Sequence, residues 1–173
     1  MESFLLPPDR SSLARCRARV TQTLLDSIVL LPDLASSCRD GALGEILDRM
    51  VSAGVVKQTA RAGIYAQLVA REDQASTGLG NGVAVPHVKQ TDVAETCIAV
   101  GVSSTGLPYG AIDGKPVHIV FMVLGTRDAL AADHLQALRW VSGLARNADF
   151  RRFALAVRGD QEFRELLEEM GGS

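Results

Sequence analysis

Cysteine is scarce in this sequence: three residues in 173, at positions 16, 38 and 97, odd in number and never in a CxxC pair. Neither a disulfide framework nor a structural zinc site can be built from that set, and a reducing cytoplasm is the expected setting. Long apolar runs are missing as well. The longest, Val117 to Leu124, is interrupted by His118 and has the length of a strand, well short of the roughly 18 to 20 residues that span a bilayer. No membrane insertion is therefore expected. An excess of charge of one sign is also absent: 18 Lys+Arg face 20 Asp+Glu, for a net charge of −2, with no basic stripe of the kind that nucleic-acid binding needs. The sequence contains no internal repeat and no low-complexity segment, and it lacks the GxSxG, HExxH and Walker patterns of common hydrolases and nucleotide enzymes.

What is present is a 47% hydrophobic chain, enough for one self-sufficient core. Residues 1–27 are rich in Arg, Ser and Leu but lack the apolar middle of a signal peptide. They are read as a helical appendage to a domain formed by residues 28–173. Ile28 to Leu31 is extended and closed by Pro32. Leu43, Ile46, Leu47, Met50 and Val51 then recur at helical spacing between Asp40, a candidate cap, and Gly54, a candidate stop. A second helix is predicted from about Thr59 to Glu72, with Ile64, Leu68 and Val69 on its apolar side and Arg71 where helix becomes loop. Val83 to Val85 reads as a short strand ended by Pro86. Cys97 to Val102 and Val117 to Leu124 are continuous and β-branched, as in central strands covered on both faces. A helix from about Leu130 to Asn147 should turn Leu135, Leu138, Val141 and Leu144 inward. Two shorter helices follow, one carrying Phe150, Phe153, Ala154 and Val157, the other starting at Asp160 and carrying Phe163, Leu166, Leu167 and Met170. Strands with helices on both sides predict a single-domain three-layer α/β/α sandwich around a mixed sheet.

The chemistry concentrates near His87. A neutral imidazole is a nucleophile at cytoplasmic pH, its unperturbed pKa being about 6.5. Gly78, Gly80 and Gly82 let a backbone approach an anion closely, Ser76, Thr77 and Asn81 add polar groups, and Arg71 offers a planar fork of donors. Nucleophile, donors and cation together are what phosphoryl transfer to a side chain requires. Taken singly, each has an ordinary structural explanation. His118, inside an apolar strand, is read as structural, and the glycine spacing fits neither a dinucleotide fingerprint nor a phosphate loop. Asp113 and Asp133 are candidates to orient a histidine.

The run Ser76-Thr77-Gly78-Leu79-Gly80-Asn81-Gly82-Val83-Ala84-Val85-Pro86-His87 resembles the phosphorylation-site signature of the phosphotransferase-system enzyme IIA family of fructose, mannitol and nitrogen-regulatory type. The likeness extends from about Ile28 to the C-terminus and includes Ala111 to Val117. It implies the mixed sheet between helices already predicted, and a phosphotransferase working through a phosphohistidine on His87 without metal or nucleotide cofactor. It also implies an HPr-like phosphocarrier protein as donor, and catalytic partners at Arg71, sixteen positions earlier, and at His134. Residues 76–78 and 80–82 would cradle the phosphoryl group. Two recipients follow from the family: regulatory target proteins, if the chain is of the nitrogen-regulatory type, or an enzyme IIB if it is sugar-specific. The absence of IIB and IIC segments favours the regulator. A binding module that has lost phosphotransfer is the third possibility, disfavoured by the retention of His87, Arg71 and His134. Val88 departs from the small residue common at that place, which points to altered docking, and residues 1–27 have no counterpart in the family. Leu79, Val88 and Leu107 are candidates for an apolar docking patch.

Overall fold

The apolar run around Val120 forms the middle of the sheet in a computed structural model that describes residue 25 and residues 27–127 and 131–171. Apart from Leu25 and Ser27, the expected N-terminal appendage lies outside the described residues, as does the expected helix start at Leu130. Leu25 itself is buried against the core.

In chain order the elements are β1 (Val29–Leu31), α1 (Arg39–Ser52), α2 (Gln58–Gln74), β2 (Gly78–Gly80), β3 (Val83–Ala84), β4 (His87–Thr91), β5 (Cys97–Leu107), β6 (Val117–Thr126), α3 (Ala131–Arg146), α4 (Ala148–Ala154) and α5 (Asp160–Gly171). The strands form one mixed sheet in the order β1-β5-β6-β3-β2, with β4 also on β6. β1 runs parallel to β5, β5 antiparallel to β6, and β3 and β4 both parallel to β6.

Alternation along the two long strands sorts the core into two layers. Ile119, Phe121 and Val123 of β6 pack with Ala137, Val141, Phe150 and Phe163 of the C-terminal helices. Val120, Met122 and Leu124 face α1 and α2 through Leu43, Ile46, Leu47 and Leu68. The α/β/α sandwich follows from a sheet that is apolar on both faces. Phe150 is fully buried between Phe121 and Phe163, with ring centroids 5.9 and 6.4 Å away, and removing its ring should cost about 3–5 kcal/mol.

Several local expectations are corrected. Asp40 does not cap α1: the cap position is Cys38, which makes no side-chain bond, and Asp40 sits in the first turn, where its charge favours the helix dipole. Gly54 does end the helix, at φ +75°. Leu135 points outward with 47% of its surface exposed. The buried stripe of α3 runs through His134, Ala137, Val141 and Leu144, and a residue one position on is rotated about 100° from it. Phe153 is likewise exposed, stacked under the Arg152 guanidinium. β2 and β4 arise where the sequence suggested only loop.

Candidate active site

His87 opens β4, and its environment follows from the break just before it. β3 and β4 both pair with β6, Val83 opposite Ile119 and His87 opposite Val123. Val85 and Pro86 interrupt what would otherwise be one strand. Pro86 has no N–H to give, but its carbonyl accepts from Val123 N–H at 2.9 Å and keeps the chain on β6. The Val85 carbonyl is thereby free, and the His87 ring takes it: Nδ1 lies 2.8 Å from that oxygen. A carbonyl only accepts, so Nδ1 carries the proton and the lone pair stands at Nε2.

His134 meets this ring from α3, with centroids 6.1 Å apart and planes tilted by 47°. It is 4% exposed, and neither ring nitrogen has a hydrogen-bond partner among the described residues. Burial, then proximity to His87 and Lys89, push its pKa below the ordinary histidine value, so it is neutral at pH 7. The ring lies against β6 because position 125 is glycine: a Cβ there would stand 2.6 Å from His134 Nδ1. The imidazole thus faces the sheet.

Arg71 lies in the last turn of α2, where Nη1 donates to the Ala75 carbonyl at 2.8 Å. Its guanidinium thus closes the end of its own helix, and it makes no hydrogen bond to His87. The glycine-rich run is a hairpin, β2 pairing antiparallel with β3, and its polar groups bond within the protein. Ser76 Oγ donates to the Tyr109 carbonyl at 3.2 Å and accepts from Gly78 N–H at 3.1 Å. Thr77 is buried and donates both its N–H and its hydroxyl to Glu72. Gly78 packs so tightly that a Cβ would stand 2.6 Å from Ala111 Cα. Gly80, Asn81 and Gly82 turn the chain at φ +86°, +54° and +77°. The Asn81 N–H is held at 2.8 Å by Asp113, whose pKa is lowered by this bond and by the Lys115 N–H. The Gly82 carbonyl accepts from His118 and Ile119 N–H at 2.8 and 3.0 Å.

His118 bonds the Ser103 carbonyl through Nδ1 at 2.9 Å. Asp113 therefore braces the hairpin turn and orients no histidine. Of the docking candidates only Leu79 is exposed, at 50%; Val88 and Leu107 are buried. Val88 faces the α1–α2 layer, so its bulk fills the core and does not meet a partner. Ile112, exposed at 86%, sits beside the hairpin instead.

Three participants escaped the sequence reading. Glu72 carried a signal, since it continues the buried stripe Ile64, Leu68, Glu72 at four-residue spacing, and a carboxylate on an apolar stripe calls for a partner. Gly125, in an otherwise apolar strand, carried a weaker one. The Val85 carbonyl carried none.

The profile of the family described as "Phosphoenolpyruvate-dependent sugar phosphotransferase system, EIIA 2" matches residues 23–170. The chain belongs to this enzyme IIA family. Among its relatives, the fructose-specific EIIA component of Haloferax volcanii is 33% identical over 132 residues, covering 76% of this chain and 84% of that protein. The nitrogen regulatory protein of Bradyrhizobium diazoefficiens is 30% identical over 80% of this chain and 88% of its own length. The fructose-specific EIIABC component of Bacillus subtilis is 30% identical over 87% of this chain, which spans only 23% of that longer protein. Among solved structures, the nitrogen regulatory IIA protein of Neisseria meningitidis superposes with a TM-score of 0.70 at 27% identity, covering 83% of this chain and 94% of that one. The enzyme IIA fold is thus common to sugar-specific and nitrogen-regulatory relatives. No helix among the described residues is long and apolar enough to cross a membrane.

Proposed function

We propose that the chain is a cytoplasmic phosphocarrier that takes a phosphoryl group from an HPr-like protein on Nε2 of His87 and passes it on. One observation carries the reading: the Nδ1–H of His87 is tied to the Val85 carbonyl at 2.8 Å, which leaves a single nitrogen with a lone pair. In the transfer, that lone pair attacks phosphorus in line, and the bond from phosphorus to the donor's ring nitrogen breaks as the new one forms. Its electron pair returns to the donor ring, and the Nδ1 proton stays where it is. His134 is neutral, buried and unpartnered, so it is available to hydrogen-bond a phosphoryl oxygen, which strengthens in a dry site. For Arg71 to offer its fork to the same oxygens it must first release the Ala75 carbonyl. The hairpin's role is to hold the strand break in place, its Thr77, Gly78 and Asn81 N–H groups being engaged within the protein.

Two recipients fit. The match to nitrogen regulatory proteins supports a switch whose phosphorylation state alters binding to target proteins. The match to the Haloferax fructose-specific component supports transfer to an enzyme IIB. The test of the common step is incubation with phosphoenolpyruvate, enzyme I and the carrier, followed by intact mass measurement. One acid-labile phosphoryl group is expected, abolished by His87→Ala and slowed by Arg71→Ala. Label persisting in His87→Ala overturns the assignment. Subsequent addition of a purified IIB separates the recipients, because only the sugar-specific type loses its label to it.

A further inference from the structure

The buried carboxylate of Glu72 takes no part in the chemistry above, yet it is connected to it. Glu72 is 3% exposed and accepts two bonds from one residue, the Thr77 N–H at 3.0 Å and the Thr77 hydroxyl. The Thr77 carbonyl accepts from Val85 N–H at 3.1 Å, and the Val85 carbonyl holds His87 Nδ1–H at 2.8 Å. Three consecutive links thus run from the end of α2 to the reactive ring. We propose that Glu72 is a positioning residue for phosphoryl transfer: by fixing Thr77 it fixes Val85, and so sets which nitrogen of His87 is free.

The hairpin has other anchors, one at its turn and one beside Thr77. Asp113 holds Asn81, and Ile112 N–H bonds the Gly78 carbonyl. The N–H of Val85, the residue that sets the tautomer, is bonded by the Thr77 carbonyl, and Ala84 before it is paired to Gly78 and Val120. Its other neighbour is Pro86, whose tertiary amide nitrogen donates nothing and whose carbonyl is held by Val123 N–H. Glu72 also has firm support. The next residue, Asp73, is clasped by Arg39 at 2.7 Å, so the final turn of α2 is gripped on two sides. The effect is mechanical, not electronic, because the links pass through three separate peptide groups. Glutamine at position 72 can make both bonds, accepting from the N–H and donating to the hydroxyl; leucine can make neither.

The inference rests on His87 as acceptor, and the test separates the two. In the full-length protein, well below its melting temperature, the 15N shifts of His87 report the tautomer without any phosphate present. Phosphoramidate, a small donor that loses ammonia as it transfers its phosphoryl group, gives the rate without a protein partner. Wild type and Glu72→Gln should show a proton on Nδ1 and similar rates. Glu72→Leu should show mixed tautomers and a maximal rate lower by about 10- to 100-fold, the penalty of misplacing a reacting group by up to an ångström. A purely structural Glu72 would lower only the melting temperature. Should Glu72→Leu fail to fold, Thr77→Val removes the hydroxyl alone and should shift both readouts in the same direction. A folded Glu72→Leu, or in its place Thr77→Val, with an unchanged tautomer and rate overturns the proposal. Wild type that takes no phosphate from any donor overturns His87 as acceptor instead, and the tautomer measurement still decides Glu72.

Discussion

Replacing Gly125 with alanine tests whether the His87–His134 pair is held by contact. The added Cβ would stand 2.6, 3.2 and 3.3 Å from Nδ1, Cγ and Cε1 of His134, about 0.8 Å inside ordinary van der Waals contact with the first of these. The strand cannot retreat, because its neighbours Val123 and Leu124 are fully buried and paired to β4 and β5. The Gly125 carbonyl is also bonded by the buried Thr91 hydroxyl at 3.0 Å. The imidazole must therefore move toward α3, where Ala137 and Val141 are already close-packed. Overpacking of this kind costs about 1–3 kcal/mol, and a ring displaced by most of an ångström should lower the phosphorylation rate by about 10- to 100-fold. Gly63→Ala and Gly143→Ala are the controls. Both positions are exposed in helices with nothing within 4 Å of the new Cβ, so each should stabilise by roughly 0.5–1 kcal/mol and leave the rate alone. Thermal melts and single-turnover phosphorylation by phosphoramidate give both quantities. Gly125→Ala with wild-type rate and stability would refute the reasoning, because the Cβ would then have found room that the structure denies it.

Other outcomes follow from the same geometry. His134 has a folded-state pKa below its unfolded value of about 6.5, so the unfolded chain takes up a proton that the folded chain refuses. Its contribution is fully present above pH 6.5 and is lost as the pH falls toward the folded pKa, by at most about 1.4 kcal/mol per pH unit; urea melts at pH 7.5 and 5.5 should show a smaller acid loss in His134→Gln than in wild type. Gly78→Ala sets its Cβ 2.6 Å from the Ala111 backbone, a clash no rotamer relieves, and should lower the melting temperature and slow phosphorylation together. Ile112→Asp, on an 86% exposed apolar side chain beside the hairpin, should slow transfer from the protein carrier more than transfer from phosphoramidate, as a raised KM.

The sequence revealed the layers because β5 and β6 alternate between two cores that both demand apolar residues, and because Leu43, Ile46, Leu47 and Met50 repeat at helical spacing. It pointed to His87 because a glycine-dense run, a proline and a histidine follow one another. It hid β4, whose Lys89 and Gln90 are exposed and break the apolar pattern, with Gln90 at φ +56° where the register slips. Leu135 was misassigned because an apolar residue beside the buried stripe has the same hydrophobicity as one on it. The partners of Thr77 and Asn81 lie 5 and 32 positions away, and nothing in the local sequence of a loop says whether its donors bond a ligand or the protein itself.

The strand break at Val85 and Pro86 separates two tasks. The two imidazoles are placed along β6: Val123 fixes the height of His87, and Gly125 fixes that of His134. The apolar side chains open to a visitor, Leu79 and Ile112, sit on the hairpin and the loop beyond it. On the proposed role, exchanging those outer side chains would retune which protein is greeted without moving the two imidazoles, so one chemical core would serve different clients.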